Sequence, residues 1–133
     1  MERVVTEIGD RANVTLQHVD LGAVGKWGKP VSYDHMENFD CFFNAIWEHS
    51  DLPDVVLIDG RFRVACWLTS YLRAAPGTTI LFDDYYPRPT YHVVERIDAP
   101  RERCGRQAKF VVPESFDRDS CHSMLHAFTN VME

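Results

Sequence analysis

Three aspartates stand directly after two short apolar runs of the chain. Asp59 follows the run at residues 55–58, and Asp83 and Asp84 follow the run at residues 79–82. Short apolar runs bounded by turn residues are typical of buried strands, which we predict near residues 54–59 and 79–84. Carboxylates at strand ends can hold a divalent cation, accept a proton or bind ribose hydroxyls. We therefore expect the function to depend on these three residues.

The segment between the two runs predicts how they are placed. Residues 61–75 have the length and pattern of one helix, and Pro76-Gly77 would end it. A strand–helix–strand unit is a right-handed crossover, so its two strands are parallel. The carboxyl ends of parallel strands lie at one edge of the sheet, and ligands bind at that edge in open α/β folds. The three aspartates are therefore predicted to converge.

The rest of the chain predicts an α/β, Rossmann-like fold, with a mostly parallel sheet and a C-terminal antiparallel hairpin. A third parallel strand is predicted near residues 14–19 and a loop over residues 21–32. Helices are predicted at residues 37–49 and 117–132, and a hairpin at residues 102–112. Residues 1–8 and 91–97 fit a helix or a strand, and a helix is preferred for both.

Composition limits the class of protein. The 133 residues, 45% of them hydrophobic, predict a single globular domain spanning residues 1–133. The net charge of -6 argues against a nucleic-acid partner. No apolar run reaches membrane-spanning length and the N-terminus lacks a signal-peptide pattern, so we expect a cytoplasmic protein without a membrane partner. The four cysteines have no paired metal spacing and are predicted to be buried free thiols.

The strand ends carry a family resemblance. Ile58-Asp59-Gly60, then a helix, a Pro-Gly turn and a strand ending in Asp83-Asp84-Tyr85 resemble the second half of a class I S-adenosylmethionine-dependent methyltransferase. The closer similarity is to the metal-dependent O-methyltransferases of the macrocin and novobiocin-biosynthesis type. It covers roughly residues 10–113 and is specific over residues 54–91.

The resemblance implies roles for particular residues. Asp59, Asp83 and Asp84 would bind Mg²⁺, and Asp59 would also serve as the catalytic base. Asp20 and Leu21, at the end of the predicted first strand, would face the adenine of S-adenosylmethionine. The implied activity is methylation of a hydroxyl on a small-molecule substrate.

The sequence also departs from that family. It has Arg61 where the family has an acid, and it contains no G-x-G turn to hold the methionine moiety. The chain is therefore expected to be either a fragment of a longer enzyme or a shortened relative that has lost cofactor binding. The alternative function is a catalytically inactive methyltransferase-fold binding module, which could form a homodimer through an exposed sheet edge. Another nucleotide- or sugar-handling enzyme on the same fold is a third hypothesis.

Several other residues have both a functional and a structural interpretation. Asp59 could simply cap the helix that follows it. His92 could be a catalytic base or a hydrogen-bonded surface histidine. Arg61 and Arg63 could clamp an anionic substrate or form ion pairs with the neighbouring acids. The pair His122 and His126, four residues apart, has a metal-chelating spacing, but a solvated helix face is favoured.

Overall fold

The computed structural model describes residues 13–49 and 51–133. Its strands are β1 (Val55–Ile58), β2 (Thr79–Phe82), β3 (Glu102–Cys104) and β4 (Gln107–Val111). Its α-helices are α1 (Phe39–Asn44), α2 (Arg63–Arg73) and α3 (Arg118–Phe128). Short 3-10 helices cover Lys26–Gly28, Met36–Asn38, Ala45–Glu48 and Pro89–Arg96. The helix predicted at residues 1–8 lies outside the described residues.

The four strands form one sheet in the order β1-β2-β4-β3. β1 and β2 are parallel, with Ile58 opposite Phe82, and α2 is the crossover between them. β4 runs antiparallel to both β2 and β3. The predicted α/β fold, with its crossover and closing hairpin, is confirmed.

The predicted strand at residues 14–19 is wrong. Residues 14–21 pair with no strand among the described residues. Of residues 14–19, only Leu16 and Val19 are half-buried, and the other four are exposed. The alternating pattern therefore gives no apolar face that could pack on a sheet. The chain then bends where the Asp20 carboxylate accepts a hydrogen bond from the Gly22 amide at 2.9 Å. As a result, the described sheet has one parallel and two antiparallel pairings.

The main core lies between the sheet and α2. The ring of Trp67 stacks on Tyr71 at 3.8 Å between centroids and meets the edge of Phe110 at 5.2 Å. These three side chains are fully buried, and each contributes about 1.5–3 kcal/mol of burial free energy. α3 packs against α2 and begins where Asp117 accepts a hydrogen bond from the Ser120 amide at 3.0 Å.

A second core cluster attaches residues 13–49 to the crossover helix. Phe62, just before α2, is fully buried and lies 5.0 Å from Phe39 between ring centroids. Leu21 and Met132 belong to the same cluster. The helix predicted over residues 37–49 is present as α1 flanked by two 3-10 helices.

No helix among residues 13–49 and 51–133 is long and apolar enough to cross a membrane. All four cysteines are free, as predicted, but the prediction that they are buried is wrong for two of them. Cys41 and Cys104 are exposed, Cys66 is partly buried and Cys121 is buried. Burial raises the pKa of the Cys66 thiol to about 12 and that of Cys121 to about 11, so both stay protonated near neutral pH.

Candidate functional site

The three aspartates converge at the carboxyl ends of β1 and β2. Asp59 follows β1, and Asp83 and Asp84 follow β2, with carboxylate oxygens that lie within 4.8 Å of one another. Asp59 is exposed, whereas Asp83 and Asp84 are half-buried. This convergence confirms the prediction made from the crossover.

A buried guanidinium lies among the three aspartates. Arg63, the first residue of α2, has a side chain that is only 10% exposed. Its Nε donates to the Gly60 carbonyl at 2.8 Å and its Nη1 to the Asp83 carbonyl at 2.7 Å. The same group lies 3.4 Å from the Asp59 carboxylate and 3.7 Å from that of Asp84. The ion-pair interpretation of Arg63 is therefore confirmed.

A second arginine reaches the site from the hairpin turn. Nε of Arg106 donates to Oδ1 of Asp84 at 2.8 Å, and its Nη2 forms an ion pair with the same oxygen at 2.7 Å. The sequence did not predict this pair, because no local pattern links the hairpin turn to the strand ends. The register explains the contact: Phe82 is opposite Ala108 in the antiparallel β2–β4 pair. Asp84 lies two residues after Phe82 and Arg106 two residues before Ala108, so the antiparallel register brings them opposite each other.

The donor set fits Mg²⁺ in chemistry and spacing. Carboxylate oxygens are the ligands that this hard cation prefers, and three of them converge. Two of the carboxylates, however, already have guanidinium partners, namely Arg63 and Arg106. A divalent ion would therefore have to compete with a positive charge that the fold itself supplies. Magnesium binding by Asp59, Asp83 and Asp84 stays a prediction.

Two of the three aspartates, Asp59 and Asp84, border a cavity of about 410 Å³. It is lined by Trp27, Asp59, Gly60, Arg61, Arg63, Asp84 and Arg88. This volume falls within the range of small-molecule sites. Arg61 joins the 21–32 loop to the strand end, since its Nε donates to the carbonyl of Trp27 at 3.1 Å. Within that loop the sequence predicted only Leu21 as a site residue and gave no role to Trp27.

Backbone strain is concentrated around the same cavity. Among the described residues, three that are not glycine have positive φ: Trp27 at 60°, Phe62 at 55° and Asp84 at 55°. Trp27 and Asp84 line the cavity. Phe62 does not line it, but in the sequence it stands between Arg61 and Arg63, which do. Each such conformation costs on the order of 1–3 kcal/mol and is common at ligand sites. Two of the three strained residues thus line this cavity.

The other predicted site residues lie elsewhere. Nε2 of His92 is 3.0 Å from the Tyr85 carbonyl oxygen, and its ring packs against that of Tyr85 at 4.6 Å. Asp20 lines a different cavity, 3.7 Å from His35, and Leu21 is buried in the second core cluster. Their predicted roles, His92 as base and Asp20 and Leu21 as cofactor residues, stay predictions.

The histidines of α3 are not part of the acidic site. His122 and His126 are both exposed. Among the described residues, they belong to no group of three or more metal-ligating side chains. The helix presents them on its solvated face, as the sequence favoured.

Comparison with known proteins adds one solved structure. No family model and no curated protein matches the chain. The chain is similar to the crystal structure of a methyltransferase-like protein from Silicibacter pomeroyi, with a TM-score of 0.74 and 33% sequence identity. The match covers 97% of this chain and 69% of that one.

Proposed function

Since the chain belongs to the methyltransferase-like proteins, we propose that it is an S-adenosylmethionine-dependent O-methyltransferase-like domain. Its acceptor is a hydroxyl on a small molecule. The observation that supports this proposal is the exposed carboxylate of Asp59 at the end of β1, in a cavity of small-molecule size. A general base has to meet the hydroxyl it deprotonates within hydrogen-bond reach, and an exposed carboxylate in a cavity can do so.

Arg63 positions this carboxylate. Its guanidinium is fixed by the two carbonyl oxygens of Gly60 and Asp83, and it lies 3.4 Å from Oδ1 of Asp59. The Asp59 side chain is still 54% exposed, so its second oxygen is available to a substrate. Asp59 then accepts the hydroxyl proton while the resulting oxygen nucleophile stays oriented in the cavity.

The fold family implies two bound groups, S-adenosylmethionine and Mg²⁺, and the residues of this chain fit the second better than the first. S-adenosylmethionine supplies an electrophilic methyl group when it is bound. The sequence has no G-x-G turn for its methionine moiety, and Leu21 is committed to the core. Mg²⁺ would be held by Asp59, Asp83 and Asp84, where it would lower the pKa of a coordinated hydroxyl.

The proposal is tested by turnover. The chain is incubated with millimolar S-adenosylmethionine and a panel of small hydroxyl compounds, and S-adenosylhomocysteine is measured by mass spectrometry. Asp59→Asn is expected to lower the rate about 10²–10⁴-fold, the usual contribution of a general base. Asp54→Asn is the matched control, because Asp54 is an exposed aspartate at the opposite end of β1. Equal rates in the parent and in Asp59→Asn would contradict the role of Asp59.

One observation supports the alternative, a non-catalytic binding module that forms a homodimer. Within residues 13–49 and 51–133, nothing pairs with the outer edge of β1. Its side chains Val55 and Leu57 are 56% and 59% exposed. An open apolar edge strand favours pairing with another strand.

Sedimentation distinguishes this alternative. A dimer of the parent that Leu57→Lys dissociates, and that Leu52→Lys leaves intact, would support it, since Leu52 is equally apolar and 53% exposed but precedes the strand. A monomeric parent chain that turns over S-adenosylmethionine would exclude it.

A further inference from the structure

We infer that the cavity beside Asp59 binds a small aromatic anion, with its ring on Trp27 and its carboxylate or phosphate on Arg61 and Arg88. The hydroxyl to be methylated would lie beside Asp59. This inference rests on the proposed function for the fate of that hydroxyl, and it names the substrate class.

The charge of the cavity favours an anion. Arg63 and Arg106 form ion pairs with Asp59 and Asp84, so their positive charges offset the negative charges of these two carboxylates. Arg61 and Arg88 also line the cavity. Their contacts are hydrogen bonds to neutral groups, from Arg61 Nε to the Trp27 carbonyl at 3.1 Å and from Arg88 Nη1 to the Tyr91 hydroxyl at 3.3 Å.

These two arginines are available to a ligand. Among the described residues, neither Arg61 nor Arg88 has a carboxylate within ion-pair distance. A guanidinium recognises a carboxylate or phosphate through charge-assisted, often bidentate, hydrogen bonds.

The chain itself places a carboxylate in the field of these arginines. Glu133 forms an ion pair with Lys29. The hydrogen bond from Lys29 is the main cause of the lowered pKa of the Glu133 carboxyl group. Arg61 and Arg88 lower that pKa further. The Glu133 side chain is 57% exposed, so an anion from solution can compete with it for this positive region.

Trp27 supplies a flat apolar wall. Its residue is 77% exposed, and its backbone is held at φ 60° in a loop closed by a hydrogen bond from the Gly25 amide to the Lys29 carbonyl at 2.8 Å. Burial in the core therefore does not explain why a tryptophan stands there. An exposed indole stacks readily on a planar ring, and a cavity of about 410 Å³ has room for a one-ring ligand.

The test uses 4-hydroxybenzoate as the probe and 4-hydroxybenzamide as its neutral counterpart. Trp47 and Trp67 are 7% and 0% exposed, whereas Trp27 is 77% exposed. Quenching of tryptophan fluorescence by a ligand from solution therefore reports binding at Trp27. We expect saturable quenching by the anion and at least tenfold weaker binding of the amide, because the amide lacks the charge that the guanidinium groups recognise.

Variants then identify the anion contacts. Arg61→Gln and Arg88→Gln are each expected to weaken binding of 4-hydroxybenzoate about tenfold, which corresponds to 1.4 kcal/mol. Arg96→Gln removes the same charge from an exposed position outside the cavity and is expected to leave binding unchanged. Glu133→Gln is expected to tighten binding, because it removes the competing carboxylate. Trp27→Leu is measured by calorimetry and is expected to weaken binding.

Three outcomes would overturn the inference: equal binding of the amide, parent-like binding by both arginine variants, or no saturable binding up to about 10 mM probe. Failure of the proposed function looks different. Binding of the anion without methylation of any acceptor would overturn the methyltransferase proposal and leave the anion site in place. Methylation of neutral acceptors only, with no anion binding, would overturn the anion site and leave the methyltransferase proposal in place.

Discussion

The guanidinium of Arg63 donates to the carbonyl oxygens that follow both parallel strands, and it lies within ion-pair distance of two aspartates. At the scale of residues, the convergence of Asp59, Asp83 and Asp84 could be predicted, because a parallel crossover places successive strand ends at one edge. Arg106 could not be predicted, since its contact with Asp84 depends on how β4 aligns with β2. No hairpin turn joins β2 to β4, so turn residues do not fix the register between these two strands.

A test of competition between Arg63 and a metal follows from these contacts. Removing the buried charge leaves Asp59 and Asp84 less compensated, so Arg63→Gln is expected to show a larger rise in Tm with added Mg²⁺ than the parent chain does. The rise reflects binding to the folded state by mass action. Arg103→Gln is the control, because Arg103 is exposed and stacks on Tyr86, away from the aspartates.

Equal Mg²⁺-dependent shifts in the parent and Arg63→Gln would show that the guanidinium does not compete with a cation. A second variant, Arg63→Lys, keeps the positive charge but loses the guanidinium hydrogen bonds to the backbone. It therefore separates the effect of the charge from the effect of those hydrogen bonds. It is expected to respond to Mg²⁺ as the parent does.

At the scale of elements, the crossover and the hairpin were predictable because their periodicity and turn residues agree with each other. The predicted strand at residues 14–19 was wrong, because alternation alone does not distinguish a paired strand from an exposed extended segment. The strained loop at Trp27 was also missed. Local propensity disfavours a non-glycine residue at φ 60°, so such a conformation is visible only in the structure.

Two substitutions separate the backbone of Trp27 from its ring. Both Trp27→Gly and Trp27→Ala remove the indole and should weaken binding of the aromatic anion equally. Only glycine adopts positive φ without a steric cost, so Trp27→Gly should be the more stable of the two by about 1 kcal/mol. Urea denaturation measures the difference. An alanine variant as stable as the glycine variant would mean that the loop relaxes out of the left-handed conformation.

At the scale of the whole molecule, the chain aligns with 69% of the methyltransferase-like protein from Silicibacter pomeroyi. The family resemblance was predictable from Ile58-Asp59-Gly60 and Asp83-Asp84-Tyr85. Cofactor binding was not, because it depends on contacts to the methionine and ribose groups that no motif in this sequence supplies.

We expect the 133-residue chain to bind S-adenosylmethionine weakly, with a Kd no tighter than about 1 mM, or about -4 kcal/mol. Isothermal titration calorimetry at micromolar ligand should then give no binding heat. S-adenosylhomocysteine, which lacks the sulfonium charge, serves as the comparison ligand. A micromolar Kd for S-adenosylmethionine would contradict this prediction.

The shared guanidinium of Arg63 also affects how the loops after β1 and β2 open. It donates one charge-assisted hydrogen bond to Gly60 in the first loop and another to Asp83 in the second. We therefore expect the two loops to open as one cooperative unit, with their amide hydrogens exchanging with solvent together. The entropy lost in ordering them is incurred when the protein folds, before any ligand arrives.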